Sequence, residues 1–127
     1  MAKILIIDDE IKLRETIAEL FSLINYQVFE AQDGSEGLEK VKEHKPDLII
    51  CDVMMPKLDG YGFLERHQKS NHSKIPVLLL SAKIEEIDEK IGFSMGAKGY
   101  LRKPFAFKEL KEIVDFHIRQ KVLNNEI

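Results

Sequence analysis

Cysteine is almost absent from this chain of 127 residues, with Cys51 the only one. A lone thiol cannot close an internal disulfide, so the fold has to stand on packing alone. Cys51 follows Leu48-Ile49-Ile50 and reads as a small buried hydrophobe. No apolar run approaches the ~18 residues that a membrane span requires. The N-terminus carries one lysine and a short apolar run that meets two aspartates, which is not the pattern of a secretory signal. An excess of basic charge is also missing. Lys and Arg number 19 against 22 Asp and Glu, a net charge of −3, so the electrostatic footprint of a nucleic-acid-binding protein is not there. The four histidines, His44, His67, His72 and His117, have no metal-ligand spacing and read as surface residues. Sequence repeats, linkers and low-complexity stretches are lacking too. These absences lead to the expectation of a soluble cytoplasmic protein that contacts neither membrane nor nucleic acid.

What is present is a single domain's worth of apolar residues, 44% of the chain beside 32% charged. A chain of this length buries roughly two-thirds of its unfolded surface on folding, so a real core is within reach. Short apolar runs alternate with helical periodicity. Residues 4–7, 26–31, 48–51, 77–80 and 99–102 read as strands. Between them, Leu13, Ile17, Leu20, Phe21 and Ile24 share one helical face. Asp33-Gly34-Ser35-Glu36 resembles a capping box ahead of a helix carrying Leu38 and Val41, which Pro46 stops. Tyr61 and Leu64 begin a third helix, and Ile84, Ile87, Ile91 and Met95 form a fourth stripe with Gly96 at its C′ position. Phe107, Leu110, Val114 and Ile118 line a last helix expected to fray by Asn124. Five strand–helix units imply a parallel sheet covered on both faces, because each right-handed crossover carries a helix. The expected division is a folded unit over residues 1–120 and a tail over 121–127.

In such sheets ligands bind beyond the carboxyl ends of the strands. Asp8 and Asp9 follow the first strand, Asp52 the third, Ser81 the fourth, and Lys103-Pro104 the fifth. Alone, an acidic pair ahead of a helix is more often an N-cap device, Ser81 a turn residue, and Lys103 a solvated loop residue. Together at one sheet edge they are something else. Three gathered carboxylates repel one another unless a cation intervenes, and a hard oxygen-seeking ion such as Mg²⁺ suits them. An aspartate can act as a nucleophile toward phosphorus. A nearby lysine would offset the charge of an incoming phosphoryl group, and a serine hydroxyl would donate to one of its oxygens.

Four segments in order, Ile6-Ile7-Asp8-Asp9-Glu10, residues 52–60 (Asp-Val-Met-Met-Pro-Lys-Leu-Asp-Gly), Leu80-Ser81-Ala82 and Lys103-Pro104-Phe105, resemble the response-regulator receiver family of two-component signalling. The resemblance extends from Lys3 to about Ile118 and is closest in kind to single, chemotaxis-type receivers. It implies an α/β flavodoxin-like (βα)₅ fold, doubly wound, with a five-stranded parallel sheet in the order 2-1-3-4-5. It also implies roles. Asp52 corresponds to the phospho-acceptor, with Asp8, Asp9, Asp52 and the Met54 backbone carbonyl around Mg²⁺. Asp9 would be the more direct ligand and Asp8 would act partly through water. Lys103 and Ser81 would bind the phosphoryl group, Ser81 and Tyr100 would form the switch, and the bond before Pro104 would be cis. The implied partners are a sensor histidine kinase or phosphotransfer protein upstream and a protein target downstream. That target would be read by the surface of the fourth helix, fifth strand and last helix. The implied chemistry is self-phosphorylation and autodephosphorylation, not turnover of a separate substrate.

Other residues read structurally. Gly60 would permit a positive-φ turn before the third helix, Pro56 would shape the loop, and Asp59 would cap the helix. Met54 and Lys83 flank the site and are expected to tune phosphoryl lifetime through water access. The start at Met1, two residues before the first strand, favours a stand-alone regulator over a fragment of a longer one. Three rivals remain on the table. An aspartyl-phosphate hydrolase of the haloacid-dehalogenase type would want an acid at position 54, where Met54 stands. A flavin-binding protein would want a Ser/Thr/Gly-rich loop where Asp8-Asp9-Glu10 stand. A receiver-like interaction module would never be phosphorylated.

Overall fold

The computed structural model describes residues 1–82 and 86–125. Lys83, Ile84 and the last two residues lie outside the described residues, as does the Ile87 side chain. The element order is β1 (Lys3–Ile7), α1 (Ile11–Leu23), β2 (Gln27–Ala31), α2 (Gly34–His44), β3 (Leu48–Asp52), α3 (Gly60–Gln68), β4 (Val77–Ser81), α4 (Glu86–Ser94), β5 (Gly99–Arg102) and α5 (Phe107–Asn125). All pairings are parallel and the sheet order is β2-β1-β3-β4-β5, the flavodoxin-like topology expected. Among the described residues, no helix is long and apolar enough to cross a membrane.

Strand alternation sends successive side chains to opposite faces, and both faces are covered. Leu5, Ile7, Ile49, Cys51, Val77 and Leu79 pack with Val41 of α2 and Phe63 and Leu64 of α3. Ile4, Ile6, Leu48, Ile50, Leu78 and Leu80 pack with Ile17 and Phe21 of α1 and Leu110 and Val114 of α5. Each fully buried Leu or Ile contributes roughly 1.5–3 kcal/mol of hydrophobic transfer, which is why β1, β3 and β4 hold the centre. Their polar ends are thereby fixed as a rigid row.

The helix ends follow local chemistry. Asp33 Oδ1 accepts from the Glu36 backbone N–H at 2.9 Å, and Asp59 Oδ1 accepts from that of Gly62 at 2.8 Å. Gly96 adopts φ +105, and the Ala97 N–H returns to the Gly92 carbonyl at 3.1 Å, closing α4 as expected.

Three expectations need correction. Gly60 is not at positive φ; in that loop the left-handed residue is Lys57, at φ 63. Gly60 is required for space, since a Cβ there would meet the Asp52 carbonyl at 2.4 Å and Val53 Cα at 2.7 Å. His67 is not on the surface but fully buried. Its Nε2–H donates to the Ile75 carbonyl at 2.9 Å, and its ring stacks on Phe63. Burial lowers its pKa and keeps it neutral. Ile91 does not line an inner stripe; it is 42% exposed, with Phe93 beside it at 44%. Gly92 instead brings α4 against the sheet, where a Cβ would meet Leu79 Cδ1 at 3.0 Å and Tyr100 Cδ2 at 3.2 Å.

A Gly60→Ala variant is therefore expected to lose roughly 1–3 kcal/mol of stability by overpacking against β3. Urea denaturation read by circular dichroism checks this, with Gly62→Ala as the comparison. There the closest atom is the movable Leu58 Cδ1 at 2.6 Å, and the loss should be smaller.

Candidate functional site

Asp52 and Ser81 are the last residues of β3 and β4, one position earlier than the expectation that they follow the strands. Asp8 comes directly after β1 and Lys103 directly after β5. The ladder places Asp52 opposite Leu80 and Ser81 opposite Arg102, so these ends lie side by side. Two backbone bonds hold the row: the Val53 N–H donates to the Leu80 carbonyl at 2.9 Å, and the Lys103 N–H to the Ser81 carbonyl at 2.8 Å. The Lys103-Pro104 bond is cis, as expected.

Asp8, Asp9 and Asp52 each offer an oxygen, all within 4.8 Å of one another. Asp8 and Asp52 are buried while Asp9 is exposed to solvent. Lys103 Nζ lies 3.1 Å from Asp52 Oδ1, 3.3 Å from Asp8 Oδ2 and 3.6 Å from Glu10 Oε2. The Glu10 N–H donates to Asp8 Oδ1 at 2.9 Å. One partly buried cation therefore faces several carboxylates, and charge in this cleft is only partly balanced.

The electrostatics follow. Burial first, then the Asp8 carboxylate, push the Asp52 pKa up to about 6, against a partial pull downward by Lys103. Burial also raises Asp8. Burial works to lower the Lys103 pKa, but Asp8 and Asp52 together outweigh it and the net shift is upward. An all-oxygen donor set, two of its three carboxylates buried, with a carboxylate held near 6, is the chemistry of a hard divalent cation site. The residues present fit such an ion.

Ser81 is fully buried at the floor of the cleft. The Met54 side chain stands on the rim, 59% exposed. Tyr100 lies one strand position before Leu101 and packs its ring against Gly92 of α4. Its buried hydroxyl sits beside the Tyr61 phenol, whose pKa burial and Tyr100 push to about 12. Tyr100 is thus turned inward and half-buried. The structure brings Asp8, Asp9, Asp52, Ser81 and Lys103 together at one edge of the sheet, with Tyr100 farther back along β5.

Two contacts were missed from sequence. Glu10 reaches Lys103, and Arg14 reaches the Asp8 carbonyl through Nη1 at 2.8 Å. Glu10 carried a signal, being the third acid in a row. Arg14 carried little, since a single arginine on a surface helix is commonplace.

This geometry matches a known family. The chain belongs to the response regulator receiver domain family, whose model matches residues 4–115. It is a two-component receiver, and its relatives are regulators. It is 43% identical over 109 residues to the probable transcriptional regulator ycf27 of Cyanophora paradoxa, an alignment covering 86% of this chain and 45% of that protein. It is 40% identical over 120 residues to the alkaline phosphatase synthesis transcriptional regulatory protein PhoP of Bacillus subtilis, covering 93% of this chain and 49% of that one. The chain thus spans about half the length of these curated relatives. Among solved structures, the receiver domain of the Francisella response regulator 1452 superposes with a TM-score of 0.91 at 32% identity, covering 95% of this chain and 99% of that one.

The raised Asp52 pKa has a stability consequence. Unfolded, this aspartate ionises near 3.8; folded, it ionises near 6. The folded state holds its proton longer, so stability falls as pH rises through that window and stays reduced above it. At about 1.4 kcal/mol per unit, and shared with Asp8, the cost at neutral pH is roughly 1–3 kcal/mol. Asp52→Asn is therefore expected to raise stability by that amount at pH 7 in a chelator. The gain should disappear near pH 3.5. Urea melts of both proteins across this range provide the check.

Proposed function

We propose that this receiver accepts a phosphoryl group on Asp52, from a histidine kinase or phosphotransfer protein, in a Mg²⁺-dependent reaction. The observation that carries the reading is the Lys103 ammonium, 3.1 Å from Asp52 and 3.3 Å from Asp8, in a cleft of three clustered carboxylates. Asp8, Asp9 and Asp52 would hold the ion, and the Met54 carbonyl would complete the set. Mg²⁺, when bound, neutralises the carboxylates and the phosphoryl oxygens.

An Asp52 carboxylate oxygen attacks phosphorus in line. The P–N bond to the donor histidine breaks, and its electron pair stays on the imidazole nitrogen. Lys103 moves its charge from Asp52 to a phosphoryl oxygen, and the Ser81 hydroxyl donates to another. Hydrolysis reverses the state when water attacks the same phosphorus and the carboxylate leaves. The chemistry is confined to the protein's own aspartate, so it acts as a switch and not as an enzyme with a separate substrate. Met54, on the rim, and Lys83 control water access and so the lifetime of the phosphoryl group.

Phosphorylation adds roughly −1.5 to −2 charge at Asp52. Ser81 and Lys103 are drawn toward it, and Tyr100 is held in its inward position against Gly92. This shifts the population of packings over α4, β5 and α5, which a downstream protein reads in the cytoplasm. The names of the relatives favour an output that regulates transcription.

Incubation with acetyl phosphate and Mg²⁺, followed by intact mass, tests the reading. A single base-labile phosphoryl adduct is expected. It should be absent in EDTA and absent from Asp52→Asn. Lys103→Met should still bind Mg²⁺ but slow adduct formation roughly 10²-fold. An adduct that persists in Asp52→Asn would overturn the assignment. No adduct in the wild type, and no response to beryllofluoride, would favour an interaction module that is not phosphorylated.

A further inference from the structure

The acidic pair sits on a short loop between β1 and α1, and its two members are held very differently. Asp8 is anchored: its N–H donates to the Ala31 carbonyl at 3.0 Å, and its side chain is met by Lys103 and by the Glu10 N–H. Asp9 is exposed to solvent, and Lys103 pairs with Asp8, Glu10 and Asp52 around it. What orients Asp9 is the peptide plane it shares with Asp8, whose oxygen is the Asp8 carbonyl. A plane free to rotate would swing the Asp9 Cα and carboxylate away from Asp52.

That oxygen accepts a 2.8 Å hydrogen bond from Arg14 Nη1. The same guanidinium donates through Nε to Glu30 Oε1 at 3.0 Å. Glu30 belongs to β2, where it pairs in register with Ile6 of β1. The Arg14 N–H in turn donates to the Glu10 carbonyl at 3.0 Å, tying the helix end to the same loop. The Arg14 side chain is only 14% exposed, while Glu30 is 38% exposed, so the guanidinium is held mostly within the protein and its Glu30 end meets solvent. A planar fork can serve two acceptors in fixed directions; a lysine cannot.

We propose that Arg14 is a positioning residue for divalent-cation binding. Held by Glu30, it locks the Asp8–Asp9 peptide so that the Asp9 carboxylate faces Asp8 and Asp52. Arg14 does not touch the ion. This inference rests on the cation-binding reading of the site given above.

The sign of the effect separates this role from simple charge. Removing a cation beside a metal site, and leaving Glu30 unneutralised, should tighten Mg²⁺ binding through space. Loss of orientation should weaken it, by roughly 10-fold for an outer partner of a ligand. Glu30 acts through Arg14, so the two losses should not add.

The experiment measures Mg²⁺ affinity by isothermal titration calorimetry on the unphosphorylated wild type, Arg14→Met, Arg14→Lys, Glu30→Gln and the Arg14→Met/Glu30→Gln double variant. Folding is checked by circular dichroism. The backbone amide resonance of Asp9 in metal-free protein reports the peptide plane directly. Expected are a roughly 10-fold weaker Kd for Arg14→Met and for Arg14→Lys, a smaller loss for Glu30→Gln, a double variant no worse than Arg14→Met, and a shifted Asp9 amide in each. Unchanged or tighter binding in Arg14→Met, in a wild type that binds Mg²⁺, would overturn the positioning role and leave the cation site standing. A wild type that binds no Mg²⁺ would overturn both. Should Arg14→Met fail to fold, Arg14→Lys, which keeps the charge and loses the fork, decides: wild-type affinity there sinks the proposal.

Discussion

Mutual repulsion of the carboxylates at one end of the sheet is the constraint on which the rest of this structure depends. Asp8 and Asp52 are buried close enough to share Lys103, and that ammonium is the one described cation within 4 Å of both. Burial and like charge oppose ionisation at both aspartates, and Lys103 offsets only part of that. The cleft is thus under electrostatic tension. Any added positive charge relieves it, and any phosphoryl group on Asp52 redistributes it toward Lys103 and Ser81.

Tension of this kind is tolerable only on a rigid base. The apolar strands supply it: β1, β3 and β4 are covered on both faces, and each hands its last residues to the same edge. Gly60 lets α3 begin directly against the backbone of Asp52 and Val53. Gly92 lets α4 approach Leu79 and Tyr100 in a comparable way. The first contact fixes the strand that ends at Asp52. The second places an aromatic ring between the site and a helix whose outer side, at Ile91 and Phe93, is apolar and open to solvent.

Much of this was legible in the chain. Asp8, Asp52, Ser81 and Lys103 stood out because each interrupts or follows an apolar run, and a parallel sheet with covered faces sends all such positions to one edge. The caps at Asp33 and Asp59 and the helix stop at Gly96 were legible because they are local, decided within four residues. His67 was not. A histidine on a polar helix looks like a surface residue until the loop after α3 folds back and offers the Ile75 carbonyl. Of the stripe on α4, Met95 packs against the core while Ile91 turns outward, because a spacing near four fits several helical phases and the close packing of Gly92 set the one adopted. Gly60 was singled out correctly and for the wrong reason: a missing Cβ serves both a turn and a close approach, and only the neighbour decides which.

By itself, then, the sequence determined the alternation of strands and helices, the sheet they must form and the identity of the polar residues at its edge. These follow from hydrophobic periodicity, which is a property of neighbours along the chain. Tertiary structure alone decided how those residues are held. The reach of Lys103 to Asp8 and Asp52 spans 95 and 51 positions, and the grip of Arg14 on Asp8 is fixed by Glu30, 16 positions away. Charge pairing across such separations depends on distance and burial in the folded state, and neither is encoded in the spacing of residues along the chain.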